Sequence, residues 1–203
     1  MRALLLTAGL SLLATPVLAQ DLTRPETWNV RFDRPGQPDS AVYFVDMPPG
    51  WHITTGPAGI LYDPATTAQG TFAVESEMFL FPDAGGREGY GVIFGGRNLE
   101  GPNQAYLYFL LRGDGSFIVK QRDGQSTETL VPWTRNDAVV PKAADSNVKN
   151  VLRVEVGEDA IAFYVNGTQV TTLPRDGLNC DGIVGLRVNH RVNLHVTSLN
   201  VSS

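Results

Sequence analysis

Apolar and polar residues alternate with period two along most of the chain, which is the signature of half-buried β-strands. The clearest stretch runs from Val148 to Val170. It predicts strands over Val151–Val156 and Ala160–Val165, separated by Gly157-Glu158-Asp159. Asn166-Gly167 then predicts a two-residue hairpin turn into a third strand, because both residues tolerate the positive φ that a type I′ turn requires. Further upstream, Thr71–Phe81 is the longest candidate. Phe72, Val74, Ser76, Met78 and Leu80 share its more uniformly apolar face, while Ala73, Glu75, Glu77, Phe79 and Phe81 lie on the other. Gln104–Arg112 splits in the same way, with Ala105, Leu107, Phe109 and Leu111 on one face and Tyr106, Tyr108, Leu110 and Arg112 on the other.

Turn residues punctuate the rest. The prolines and glycines of the first 50 residues bracket short strands at Trp28–Phe32 and Ala41–Val45, and Trp51–Thr54 and Gly59–Tyr62 follow. Tyr90–Arg97 reads as a strand in which Gly95-Gly96 marks a bulge or a close backbone approach. Asp114-Gly115 and Asp123-Gly124 turn the chain into two more strands, Ser116–Gln121 and one ending near Val131. Pro82–Glu88 reads as an exposed tip around Gly85-Gly86. The segment from Asn136 to Asn147 lacks periodicity and leaves room for a helical turn around Ala143-Ala144. Gly182–Asn189 and Val192–Val201 close the pattern. Turn spacing implies about fourteen strands, against the seven to nine of an immunoglobulin domain. Consecutive strands joined by short turns pair antiparallel. The fold class is therefore all-β, a two-sheet antiparallel β-sandwich of the jelly-roll kind.

Three runs carry a family resemblance. Asn150-Val151-Leu152-Arg153-Val154, Phe163-Tyr164-Val165-Asn166-Gly167 and Gly182-Ile183-Val184-Gly185-Leu186-Arg187-Val188 resemble the C-terminal half of concanavalin A-like jelly rolls. Tyr90–Phe94 and Tyr108–Leu111 with Asp114-Gly115 fit the same group. The group includes laminin-G-like modules, family-16-type glycoside hydrolases and bacterial domains related to 3-keto-disaccharide-processing enzymes. These motifs are structural, so the resemblance implies the fold and leaves the activity open.

Composition narrows the setting. Met1-Arg2, an apolar run from Ala3 to Leu18 and a small residue at Ala19 form a secretory signal peptide over residues 1–19, with a single sandwich domain over 20–203. The apolar run is broken by Pro16 and is short for a membrane span, and no cysteine stands near the cleavage point. A periplasmic or secreted bacterial location is expected from that leader, the periplasm being the first compartment reached. Cys180 is the only cysteine, so no internal disulfide supports the domain and its core must suffice. It reads as a buried small residue, with a free thiol or an intermolecular bridge as the alternatives. The formal net charge is −5 and the charges are scattered, which gives no footprint for nucleic acid and no cluster to hold an anionic membrane.

Candidate chemistry is sparse. Glu75 and Glu77 point the same way on one strand, about 7 Å apart, a spacing at which two carboxylates can act as acid and base on a glycosidic bond. The resemblance to family-16-type glycosidases fails at this point. Their pattern is Glu-x-Asp with another Glu two or three residues on, and here the central residue is Ser76 and Met78-Phe79-Leu80-Phe81 follows. The alternative is the polar face of a solvated strand. His52, His190 and His195 lack zinc-ligand spacing unless the fold gathers them. Asn98, Asp83, Asp114, Asp123 and Asp181 offer oxygen donors in or beside loops, which leaves calcium open, as rim calcium in laminin-G-like modules also implies, although no EF-hand spacing exists. There is no G-x-S-x-G elbow and no phosphate loop opening a helix. Tyr106 and Tyr108, on one face with Arg112, and the strand-end Trp51 and Trp133 are the aromatic groups from which a sugar site could be made; the alternative is that the rings fill the core.

Three functions are consistent with these residues. The first is an exported non-catalytic module that binds glycan or another cell-envelope partner on a concave face, with Tyr106, Tyr108 and Arg112, joined by Glu75 and Glu77, as candidates. The second is a sugar-active hydrolase or lyase of the 3-keto-disaccharide hydrolase-like group, in which Glu75, Glu77 and a histidine would converge in one cleft. The third is a structural or interaction domain with no small ligand. Neither nucleic acid nor a membrane span belongs to any of them once the leader is removed.

Overall fold

The computed structural model describes residues 22–84 and 88–203. The signal peptide expected over residues 1–19 and the Gly85-Gly86 loop tip lie outside the described residues. Among the described residues there are fourteen strands and one short 3-10 turn, Asp39–Ala41. The strands are β1 Asn29–Phe32, β2 Val42–Asp46, β3 Trp51–Thr55, β4 Gly59–Ala68, β5 Phe72–Leu80, β6 Gly89–Arg97 and β7 Ala105–Arg112. They continue with β8 Ser116–Asp123, β9 Ser126–Arg135, β10 Val148–Val156, β11 Ala160–Val165, β12 Thr168–Pro174, β13 Gly182–Val188 and β14 Asn193–Ser202. The 143–144 segment is not helical. β4 and β9 run several residues past their expected ends.

The strands form two seven-stranded sheets. The first has the order β1-β4-β13-β6-β7-β8-β9 and the second β12-β11-β10-β5-β14-β3-β2, and every pairing is antiparallel. The alternation along β5 sends Phe72, Val74, Met78 and Leu80 into the space between the sheets. There they meet Phe94, Leu107, Phe109, Leu152, Val154, Phe163, Leu186 and Leu194. At roughly 25 cal/mol per Å² of apolar surface removed from water, a core of this extent stabilises the domain without a disulfide. Cys180 is one of its members. Burial pushes its thiol up to about 11, which keeps it protonated and unreactive.

The two asparagines of the sequence motif pin the fold. Asn150 is fully buried, and its amide makes all four of the hydrogen bonds it can make. Its Nδ2 donates to the Val140 carbonyl and the Tyr90 hydroxyl, while its Oδ1 accepts from the Val140 amide and from Asn166 Nδ2. Asn166 also donates to the Ala138 carbonyl and accepts from the Val151 amide. The hairpin at Asn166-Gly167 has positive φ at both residues, 50° and 80°, as a type I′ turn requires. The irregular 136–147 segment is thus tied to the β10–β11 hairpin through polar atoms. At Gly95-Gly96 the β6–β7 register shifts, and a Cβ on Gly95 would lie 2.5 Å from the Asn179 carbonyl oxygen. The expected bulge and the close backbone approach are both present.

Candidate functional site

The outward face of the first sheet is not a solvated face. Ile60, Tyr62, Ile93, Tyr106, Tyr108, Leu110 and Ile118 form a second buried cluster there, with Trp133 and Ile183 packed against it. Tyr106 and Tyr108 alternate with core residues as expected, yet they are only 2% and 4% exposed. Neither can therefore offer an open ring face to a ligand. Trp133 is half-buried, and a register shift between β8 and β9 around Val119 lets it face outward although Val131, two residues earlier, packs on the core. Gly89 leaves room for its ring: a Cβ there would sit 3.2 Å from the indole and 3.0 Å from Leu110.

A charged pair sits in this apolar setting. Arg187 comes from the otherwise apolar β13 and is 6% exposed. Its Nη1 donates to Asp33 Oδ1 at 2.9 Å and to the Tyr106 hydroxyl at 3.0 Å, and its Nη2 donates to Asp33 Oδ2 at 2.6 Å. The guanidinium also lies 5.0 Å from the centroid of the Tyr108 ring. Its Nε is buried without a protein partner. Burial acts to raise the Asp33 carboxyl, but hydrogen bonds and charge from Arg187, aided by Arg122 and His190, outweigh it and hold the group below its ordinary value. The bidentate geometry is the strong form of an arginine–carboxylate contact.

Two cavities open over this pair. One of about 370 Å³ is lined by Asp33, Tyr108, Lys120, Arg122, Trp133, Arg187 and Asn189, among others. The other, of about 800 Å³, runs between the β1 end and the 98–104 loop; it shares Asp33, Arg122 and Gln125 with the first. Together they make a groove of small-ligand size with an aromatic wall and convergent polar groups. Arg112 stands beside it rather than in it. Its guanidinium stacks 4.4 Å from the Trp133 ring centroid and is paired with Asp114. Of the expected ligand residues, then, Tyr108 lines the groove, Tyr106 holds Arg187 and Arg112 holds Trp133.

Glu75 and Glu77 lie elsewhere. They face outward from β5 in the second sheet, so the concave-face set that joins them to the two tyrosines is not one site. Glu75 pairs with Arg153 at 3.3 Å, its cross-strand neighbour. Glu77 accepts from Thr197 Oγ1 at 2.8 Å and from Lys149 Nζ at 3.0 Å, and these contacts lower its carboxyl below the usual range. A general acid for glycoside cleavage needs the opposite shift. Neither carboxylate lines the cavities described above. His52 and His195 are cross-strand neighbours on this second sheet, with ring centroids 6.3 Å apart, whereas His190 lies 3.8 Å from Glu88. Among the described residues, no three His, Cys, Asp or Glu side chains gather as a metal-ligand group. The loop acids expected to offer calcium oxygens are dispersed. Asp114 pairs with Arg112, Asp181 with Arg175, and Asp83 accepts from Asn193.

Arg187, Asp33, Lys120 and Arg122 are the groove residues that the sequence reading missed. One signal was available for Arg187, a single charge inside the apolar run Gly182–Val188.

Several solved structures share this architecture. A carbohydrate-binding module, CBM66, from Bacillus subtilis superposes with a TM-score of 0.65 at 15% identity, covering 87% of this chain and 96% of that one. The chain has the concanavalin A-like sandwich fold. A protein of unknown function with a galectin-like fold from Bacillus subtilis gives a TM-score of 0.63 at 12% identity, over 86% and 88% of the two chains. A family 16 glycoside hydrolase endo-glucanase from Bacteroides ovatus gives 0.61 at 10% identity, over 89% and 97%. Identities this low carry the fold and not the activity. No protein-family model matches the chain, and no curated protein matches it in sequence. Among the described residues no helix is long and apolar enough to cross a membrane.

Proposed function

We propose that the protein is an exported, non-catalytic module that binds glycan, free or in the cell envelope, in the groove on the outward face of its first sheet. The observation that carries this reading is the Arg187–Asp33 pair. It is held by Tyr106 and Tyr108 at the floor of the groove, with Arg187 Nε left without a protein partner and the half-buried Trp133 in the same cavity wall. A sugar ring presents an apolar face to an aromatic ring and hydroxyls to fixed polar groups, and the groove supplies both partners. Export rests on the leader read from residues 1–19, and a periplasmic or secreted location follows from it. The fold it shares with a carbohydrate-binding module is compatible with this role. The carboxylates expected to act on a glycosidic bond, Glu75 and Glu77, are ion-paired on the other sheet and do not reach this groove.

The test is a glycan-array screen of the purified protein, with and without calcium, repeated with Trp133→Ala. Binding that falls at least tenfold in Trp133→Ala supports the groove as the site. Undiminished binding moves the site off this face, and an empty array removes glycan binding altogether.

A further inference from the structure

The groove carries a charge that the rest of the molecule does not. The chain as a whole is acidic, with a formal net charge of −5. The walls of the groove nonetheless hold Arg31, Arg34, Lys120, Arg122 and Arg187 against only Asp33 and Glu100. Arg187 is neutralised by Asp33, but among the described residues no salt bridge joins Arg31, Arg34, Lys120 or Arg122 to a carboxylate. Lys120 and Arg122 are two apart on β8, so both point outward, opposite Tyr108 and Tyr106 on β7. Lys120 Nζ donates to Thr127 Oγ1 at 3.2 Å, and Arg122 Nε donates to the Gly124 carbonyl at 3.0 Å. The Arg122 contact fixes the side chain through Nε and leaves the two terminal nitrogens of the guanidinium with no protein acceptor among the described residues. A planar fork so held matches a carboxylate or sulfate group.

Resting on the glycan-binding reading, we infer that the ligand of this groove is an acidic glycan, its carboxylate or sulfate taken by Lys120 and Arg122 while its ring lies toward Trp133. Cations in a partly enclosed groove, outnumbering its carboxylates and with Asp33 already bound to Arg187, attract an anion more strongly than the same charges spread over an open surface. They also disfavour a neutral ligand, which would cover them without offering a counter-charge.

The experiment is calorimetric titration of the purified protein with oligogalacturonate, its methyl ester and a sulfated oligosaccharide, beside a glycan array that includes neutral members. Acidic members are expected to bind, with affinity falling as salt is raised, and the methyl ester is expected to bind at least tenfold more weakly. A Lys120→Ala, Arg122→Ala double variant, shown to be folded by circular dichroism, is expected to lose roughly a hundredfold in affinity for the acidic members. The carboxylate and sulfate arms decide which anion the site takes. Equal binding of acid and ester, or binding confined to neutral glycans, overturns this inference and leaves the glycan reading standing. Acidic binding that survives the double variant overturns the assignment to Lys120 and Arg122. An array with no binder overturns both.

Discussion

The outward faces of the two sheets come from the same alternating pattern and reach opposite ends. On the second sheet, Glu75, Glu77, Lys149, Arg153 and Glu155 pair across or along strands with much of each side chain in water. Exposed pairs of this kind contribute about 0–1 kcal/mol each. On the first sheet, the corresponding positions are covered by aromatics, and one guanidinium is buried against one carboxylate. Such a pair contributes little net stability relative to an apolar substitute, because Arg187 has left water and Asp33 has partly done so, but removing the carboxylate strands the buried guanidinium at high cost. Charge alone therefore does not mark a functional face. What distinguishes the first sheet is a desolvated guanidinium kept beside a groove.

That contrast can be broken by mutation, and the largest effect is expected at Asp33. Asp33→Ala leaves Arg187 buried and unpaired, so urea denaturation is expected to show a loss of about 3 kcal/mol. A loss under 1 kcal/mol would mean that the pair behaves like those on the other sheet. Trp133→Ala comes next. It opens a half-buried site and removes the stacking partner of Arg112, for an expected cost of about 1–2 kcal/mol in the same assay.

Acid titration sharpens the comparison further. The Asp33 carboxyl is held below its ordinary value in the folded state, so its contribution is fully present above the unfolded value of about 3.9 and is lost as pH falls through the folded value. The stability gap between wild type and Asp33→Asn should thus be widest near neutrality and narrow below about pH 4. A gap that stays constant with pH would show that the carboxylate's charge is not what holds Arg187. The smallest effect belongs to the second sheet. Glu77→Gln is expected to change stability by less than about 0.5 kcal/mol and to leave any glycan affinity unchanged. Loss of binding in that variant would transfer the site to the other face.

Much of this molecule is legible in its sequence. Period-two alternation, with Gly and Asn at the turns, is a local property, so the strands, the Asn166-Gly167 hairpin, the Gly95-Gly96 bulge and the sandwich class could all be read along the chain. The faces of β5 and β7 were also assigned correctly, because successive side chains must leave a strand on opposite sides. Alternation says which residues share a face, however, and not what covers that face. Tyr106 and Tyr108 were placed together without any sign that Arg187, about 80 residues later, would bury them, or that Glu75 and Glu77 would belong to the other sheet. The groove joins the consecutive strands β7, β8 and β9 to β1 and β13, which reach them only through sheet order. Its chemistry depends on distances between residues far apart in the chain and on the removal of water from Arg187. Only the tertiary structure decides either.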